Sequence, residues 1–210
     1  MVDGIFYASH FLSREFLEEL RVPAVTLNNE FSGLPVIHSD DVQGGYMTAR
    51  HLIGKGCKRM VHISGQQDLH LSADARMTAF IKECERQGVA CKVYSASEQM
   101  LWDMEYMPLI NRIFMENPDM DGIFASSDII AAQCIQMAGT LGYRIPEDIK
   151  IVGYDDICLS RLLYPPLTTV HQDIKGLAKT AMDTVEELIE GKQVPESQVV
   201  SVSFIERKTT

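Results

Sequence analysis

The sequence predicts an α/β fold built on parallel sheets, and three observations carry that reading. Short apolar runs rich in Val, Ile and aromatic residues alternate along the chain with amphipathic stretches that keep a helical period. The runs follow one another at the spacing of βαβ crossovers rather than of tight hairpins. Asp3-Gly4-Ile5-Phe6 recurs as Asp121-Gly122-Ile123-Phe124, and each copy leads into small polar residues, which suggests two lobes of similar design facing one cleft.

Taken in order, residues 4–8 (GIFYA) form a short apolar run suited to a buried strand. Ser13 is placed to cap a helix over 14–20, and Pro23 opens a second strand over 24–27 that stops at Asn28-Asn29. Val36-Ile37 is a brief extended piece leading to Ser39-Asp40-Asp41. A helix over 42–53 follows, ended by Gly54 and Gly56. Next come a strand over 59–63, a polar loop over 65–71, and a helix striped by Ala73, Met77, Phe80, Ile81 and Cys84 that stops at Gly88. The alternation continues with strand 91–94, helix 104–116, strand 122–125, helix 129–141 and strand 150–154. An extended segment over 167–170, a helix over 175–190 and one last strand marked by Val200, Val202 and Phe204 complete the chain.

Composition narrows the function. The chain has 210 residues, 46% of them hydrophobic, with 19 basic against 29 acidic side chains and a formal charge of -10. So acidic a surface repels phosphate backbones and anionic membranes alike. No apolar run reaches the roughly 18 residues of a membrane span, and the charged start does not read as a signal peptide. Five scattered cysteines without a CxxC pair imply reduced thiols in a cytoplasmic protein.

Enzyme signatures are absent: there is no nucleophile elbow, phosphate loop, GxGxxG or HExxH, and the six histidines have no metal-ligand spacing. No cofactor or metal is expected. His62 falls inside a strand and reads as a core histidine, while Gly44-Gly45 reads as a close-packing pair in the first turn of a helix. Ligands of parallel sheets bind beyond the carboxyl ends of the strands. Those ends offer Asn28-Asn29, Ser126-Ser127-Asp128 and Asp155-Asp156, and the loop after residue 63 leads to Arg76. Guanidinium, amide and carboxylate groups suit neighbouring hydroxyls, and an aromatic ring such as Trp102 suits the apolar face of a sugar. Trp102 reads equally as a core anchor, and Asp128 as a helix N-cap. Asp155 and Asp156, adjacent on an extended chain, point to opposite faces and are not expected to share a proton.

Several segments in order carry a family resemblance: VDGIF, VPAVTLNN, SDDVQGGYMTARHLIGKGCKRMVHISG, ARMTAF, RIPEDIKIVGYDD, PPLTTVHQD and VSFIERKTT. Together they resemble the effector-binding core of the lactose-repressor (LacI/GalR) family of transcription regulators, over essentially the whole chain. The resemblance implies a periplasmic-binding-protein-like I fold, with two doubly wound parallel-sheet lobes joined by three crossovers, and a sugar or related metabolite bound between them. It places residues 1–38 and 173–199 in an amino-terminal lobe, and 39–172 and 200–210 in a carboxyl-terminal lobe. It implies that Arg76 clamps ligand hydroxyls and that Asp155 is the hinge-side carboxylate. Asn28 stands where an acidic residue is found in the lactose repressor, and Ser127 where an asparagine often precedes a helix-capping aspartate. Trp102 falls near the stacking aromatic, and Gln172 faces the cleft or its hinge.

Family members begin with a DNA-binding headpiece and two further βα units. The chain begins at what resembles the third strand of the amino lobe, so that lobe is expected to be incomplete and to leave an unpaired strand edge. The expected protein is a cytoplasmic sensor core, a homodimer, with no membrane contact and with DNA reached only through the missing headpiece. A solute-binding protein of the same fold, a fragment unable to fold alone, and an α/β enzyme using Asp155 or Asp156 are the alternatives.

Overall fold

The computed structural model describes residues 2–8, 22–28, 33–65 and 73–210. The helix expected over 14–20 lies outside them, as does the loop expected over 65–71 except for Gly65.

The strands divide between two sheets. The first is all parallel, in the order β1 (Ile5–Tyr7), β2 (Ala24–Leu27), β3 (Val36–Ser39) and β9 (Ser197–Val200). The second contains β10 (Val202–Ile205), β8 (Thr168–Gln172), β7 (Lys150–Asp155), β6 (Gly122–Ala125), β4 (Arg59–Ser64) and β5 (Ala90–Ser95), in that spatial order. Only β10 runs antiparallel to its neighbour. The repeated tetrapeptide therefore enters one strand in each sheet, and both of its glycines are tightly packed. A Cβ on Gly4 would stand 2.5 Å from Val185 Cγ1, and one on Gly122 3.0 Å from Cys57 Sγ.

Helices cover both faces of the larger sheet, which is why its strands read as continuous apolar runs. α1 (Asp41–Gly54) and α2 (Ala73–Arg86) seal one face over Leu52, Met60, Phe80, Phe124 and Val152. α4 (Met107–Glu116) and α5 (Asp128–Thr140) seal the other over Ile63, Ile110, Ile113, Ile123, Ile130 and Ile151. Each such side chain withdrawn from water contributes roughly 1.5–3 kcal/mol. On the smaller sheet, α7 (Ile174–Ile189) lays Leu177, Ala181 and Val185 against Val25 and Ile37.

Three places depart from the sequence reading. The helix expected over 104–116 is two helices, α3 (Glu98–Asp103) and α4. Met104 ends α3 in a left-handed conformation (φ 51°), and Pro108 lies in the first turn of α4. A short helix, α6 (Cys158–Leu162), follows β7 and was not anticipated. The single strand expected at Val200–Phe204 is two strands in two different sheets, parted by Ser201 alone.

That last division has two counterparts. Asp40 alone links β3, in the smaller sheet, to α1 on the larger one. Asp173 alone links β8, in the larger sheet, to α7 on the smaller one. Both aspartates cap the helix that follows, accepting from Gln43 N and Gly176 N at 2.9 Å each. Asp40 N also donates to Val200 O at 2.8 Å, tying the first crossing to the third.

Candidate ligand-binding site

Asn28, Ser39, Ser126, Asp155 and Gln172 all stand at or just beyond the carboxyl ends of β2, β3, β6, β7 and β8. The two sheets thus present their polar strand ends to the same crossing region.

Arg76, on α2, is 7% exposed and most of its donors are already engaged. Nε donates to Asp41 Oδ1 at 2.8 Å, NH2 reaches the same oxygen at 2.6 Å, and NH1 donates to Ser126 O at 2.9 Å. The guanidinium carbon lies 3.5 Å from the centroid of the Tyr154 ring. Five N–H groups less these three contacts leave one on each terminal nitrogen. Arg76 is therefore a fixed charge with a narrow outward edge, not a mobile clamp. Two glycines make room for it: a Cβ on Gly45 would stand 2.2 Å from Arg76 O, and one on Gly44 2.4 Å from the Tyr154 hydroxyl.

Asp155 ends β7 with φ 108° and is followed by Asp156 at φ 57°. Burial raises its pKa to about 6, against the pull of the Arg76 charge and a hydrogen bond from Gln172. The backbone N–H of Asp128, at the start of α5, also faces this carboxylate. Gln172 Nε2 donates to Asp155 Oδ1 at 2.6 Å, while its Oε1 accepts from Ser39 Oγ at 2.6 Å. One buried amide thus joins a carboxylate of the larger sheet to a hydroxyl of the smaller. A cavity of about 380 Å³ opens beside Asp155 and Gln172, bounded further by Ile157, His171 and Ile174.

The neighbouring carboxylates are otherwise employed. Asp156 binds the Arg207 guanidinium at 2.5 Å, Ser160 Oγ at 3.1 Å and His171 Nδ1 at 3.1 Å. Burial pushes its pKa up, but these partners outweigh burial and the net shift is downward. Asp128 was expected as a helix N-cap; that position belongs to Ser127, whose hydroxyl accepts from Ile130 N at 3.3 Å. Asp128 is instead fully buried, accepting from Thr169 Oγ1 at 2.6 Å and from Ile157 N at 2.9 Å.

Of the residues singled out in the sequence, Arg76, Asp155 and Gln172 are brought together. Arg76 and Asp155 feel one another's charge, and Gln172 touches Asp155. Ser127 lies next to Ser126, whose carbonyl holds Arg76; its hydroxyl oxygen accepts the cap bond, so it is as an O–H donor that it can serve a ligand. Asn28, itself left-handed at φ 57°, accepts the Ser39 N–H on its side chain at 3.2 Å, one residue from the first crossing. Trp102 is 57% exposed on α3 and so is not a core anchor. It follows β5, three strand positions from Asp155's β7, or about 14 Å at the usual strand spacing. Ser126 was among the strand-end candidates, whereas Asp41, Tyr154 and Ser39 were not anticipated as part of the site; the glycine pair Gly44-Gly45, which packs against two elements of the Arg76 setting, was the available signal. Among the described residues, no three His, Cys, Asp or Glu side chains gather in a way that would hold a metal ion. Nor is any described helix long and apolar enough to cross a membrane.

Two parallel sheets, crossed three times by the chain and meeting at polar strand ends, define a class of binding domain. Residues 49–210 match the family described as periplasmic binding protein-like domain, and the chain belongs to that family. Beyond the family, the chain is similar to operon repressors and LacI-type transcription regulators. It is 33% identical over its full length to the ribose operon repressor of Halalkalibacterium halodurans and 28% identical over 97% of its length to the sucrose operon repressor of Streptococcus mutans. The chain spans 62% of each of those relatives. Among solved structures, it resembles a periplasmic binding protein/LacI transcriptional regulator from Alkaliphilus metalliredigens QYMF complexed with D-xylulofuranose. That match has a TM-score of 0.85 and 28% identity, covering 100% of this chain and 78% of that one. A LacI family regulator from Enterococcus faecalis V583 with bound ribose gives a TM-score of 0.86 at 25% identity, with the same coverage.

Proposed function

We propose that this chain is the sensing core of a bacterial transcription regulator that captures a sugar, a pentose first among candidates, between its two sheets. The lobes divide at the three crossings in this reading, with residues 1–39 and 174–200 on one side and 41–172 and 202–210 on the other. The observation that carries it is the Asp155–Gln172–Ser39 chain of hydrogen bonds, which puts a carboxylate with a raised pKa, beside a fixed guanidinium, at the crossing between the sheets. Asp155 and the free edges of Arg76 accept from and donate to adjacent ring hydroxyls, with Asn28, Ser127 and Gln172 supplying further polar contacts and Trp102 a ring face from the flank. Differential affinity for the closed arrangement shifts the angle between the lobes. In the complete regulator, a homodimer in the cytoplasm, that angle governs a DNA-reading headpiece. The names of the relatives and the sugars in the two solved structures support the ligand class.

The enzyme alternative is disfavoured by Asp156, whose two oxygens are engaged by Arg207, Ser160 and His171 rather than turned to a proton-transfer role beside Asp155. Calorimetry with D-ribose, D-xylulose and a panel of hexoses tests the proposal. One of these sugars should bind, and Asp155→Asn should weaken that binding at least tenfold. Equal affinity in the variant, or heat from none of the panel, would overturn it.

A further inference from the structure

Asp128 is a carboxylate of 0% exposure that the binding site does not touch, and keeping such a group buried is costly unless it does something an apolar side chain cannot. Capping is not that task, because Ser127 already caps α5. Its two oxygens reach two other elements instead. Oδ1 accepts from the Thr169 hydroxyl on β8, and Oδ2 from the N–H of Ile157, the residue that follows the turn at Asp155-Asp156. Both aspartates of that turn hold positive φ, a region that side chains with a Cβ rarely adopt, so something outside the turn must fix it. β7 leaves space for the arrangement: a Cβ on Gly153 would stand 2.3 Å from Asp128 Oδ1.

We propose that Asp128 is a positioning residue, whose side chain locks the left-handed turn and thereby aims the Asp155 carboxylate at the ligand. The proposal rests on Asp155 being the ligand-binding carboxylate, but the turn can be examined without any ligand.

The test uses the 210-residue chain and the variants Asp128→Ala, Asp128→Asn and Thr169→Val. Asn keeps an oxygen for Ile157 N and an amide for Thr169, so it should preserve the lock; Ala removes it. Asp128→Ala should speed amide exchange at Ile157 at least tenfold relative to Ile123 in the core of the larger sheet. In that variant the carbon-13 titration of Asp155 should fall from about 6 towards the ordinary carboxylate range. Asp128→Asn should restore Ile157 exchange to within twofold of the native chain. D-ribose affinity should drop at least tenfold in the Ala variant and less than threefold in the Asn variant. Unchanged exchange and titration in Asp128→Ala, or an Asn variant as loose as the Ala variant, would overturn the proposal. If Asp128→Ala does not fold, Thr169→Val decides: exchange at Ile157 must rise threefold or more, and an unchanged rate overturns it. A native chain that binds none of the sugar panel would overturn the proposed ligand class, while exchange and titration would still decide the role of Asp128.

Discussion

Arg76 sits over the Tyr154 ring, its guanidinium carbon 3.5 Å from the centroid, and the helix that delivers it is seated against a glycine. Nothing larger than hydrogen fits at Gly45, where a methyl group would stand 2.2 Å from the Arg76 carbonyl oxygen. Gly45→Ala should therefore push α1 and α2 apart and destabilise the chain by about 1–3 kcal/mol, the usual range for overpacking. Denaturant unfolding measures it, and an unaltered midpoint would contradict the packing argument.

Gln172 serves both sheets at once. In Gln172→Ala, the Asp155 and Ser39 side chains each lose a 2.6 Å partner, at a cost of about 1–3 kcal/mol. The lost bond favoured the ionised form, so the Asp155 titration should move upward from about 6. A carbon-13 titration that stays put or moves down would show that Asp155 does not depend on this amide.

Stability should respond to pH through Asp128, whose pKa burial raises to about 7. A raised carboxylate pKa means that the folded state holds its proton more tightly than the unfolded one. Its contribution is complete below the unfolded value near 4 and declines as pH climbs to about 7. Asp128→Asn removes that decline. Its stability relative to the native chain should therefore rise between pH 4 and pH 7, by up to about 1.4 kcal/mol per pH unit, and then level off. Unfolding at pH 4, 5, 6, 7 and 8 gives the two curves, and parallel curves would refute the assignment.

His62 acts in the opposite sense. Burial, in a cluster with the rings of Phe124 and Phe80, lowers its pKa to about 3, and Nδ1 is bonded to Phe124 O at 2.9 Å. Here the unfolded chain takes the proton first, so stability is lost as pH falls from about 6.5 towards 3. His62→Met should shed that loss, and its unfolding midpoint should depend less on pH across this window. A variant as acid-sensitive as the native chain would rule out His62 as the source.

The strand-and-helix order was legible because the larger sheet is covered on both faces, so its strands are unbroken apolar runs parted by helix-length stretches with apolar faces. Gly44-Gly45 could be read as close packing, although what they pack against could not. The failures have a common cause. Val200, Val202 and Phe204 alternate without interruption, and nothing in that period says that Ser201 crosses between sheets. Ser127 and Asp128 are both good capping residues, and their order alone did not identify Ser127 as the cap. The setting of Arg76 depends on Asp41 and Tyr154, which are remote in sequence and lie on different elements. Contacts of that kind leave no local pattern.

Asp40, Asp173 and Ser201 each carry the chain from one sheet's layer to the other in one step. Tethers so short have almost no slack, so the two layers can pivot about one another but can hardly separate or slide. In the proposed sensor, whatever fills the gap would be read out as an angle, and lengthening any one tether by a flexible residue or two would let that torque leak away as play in the joint.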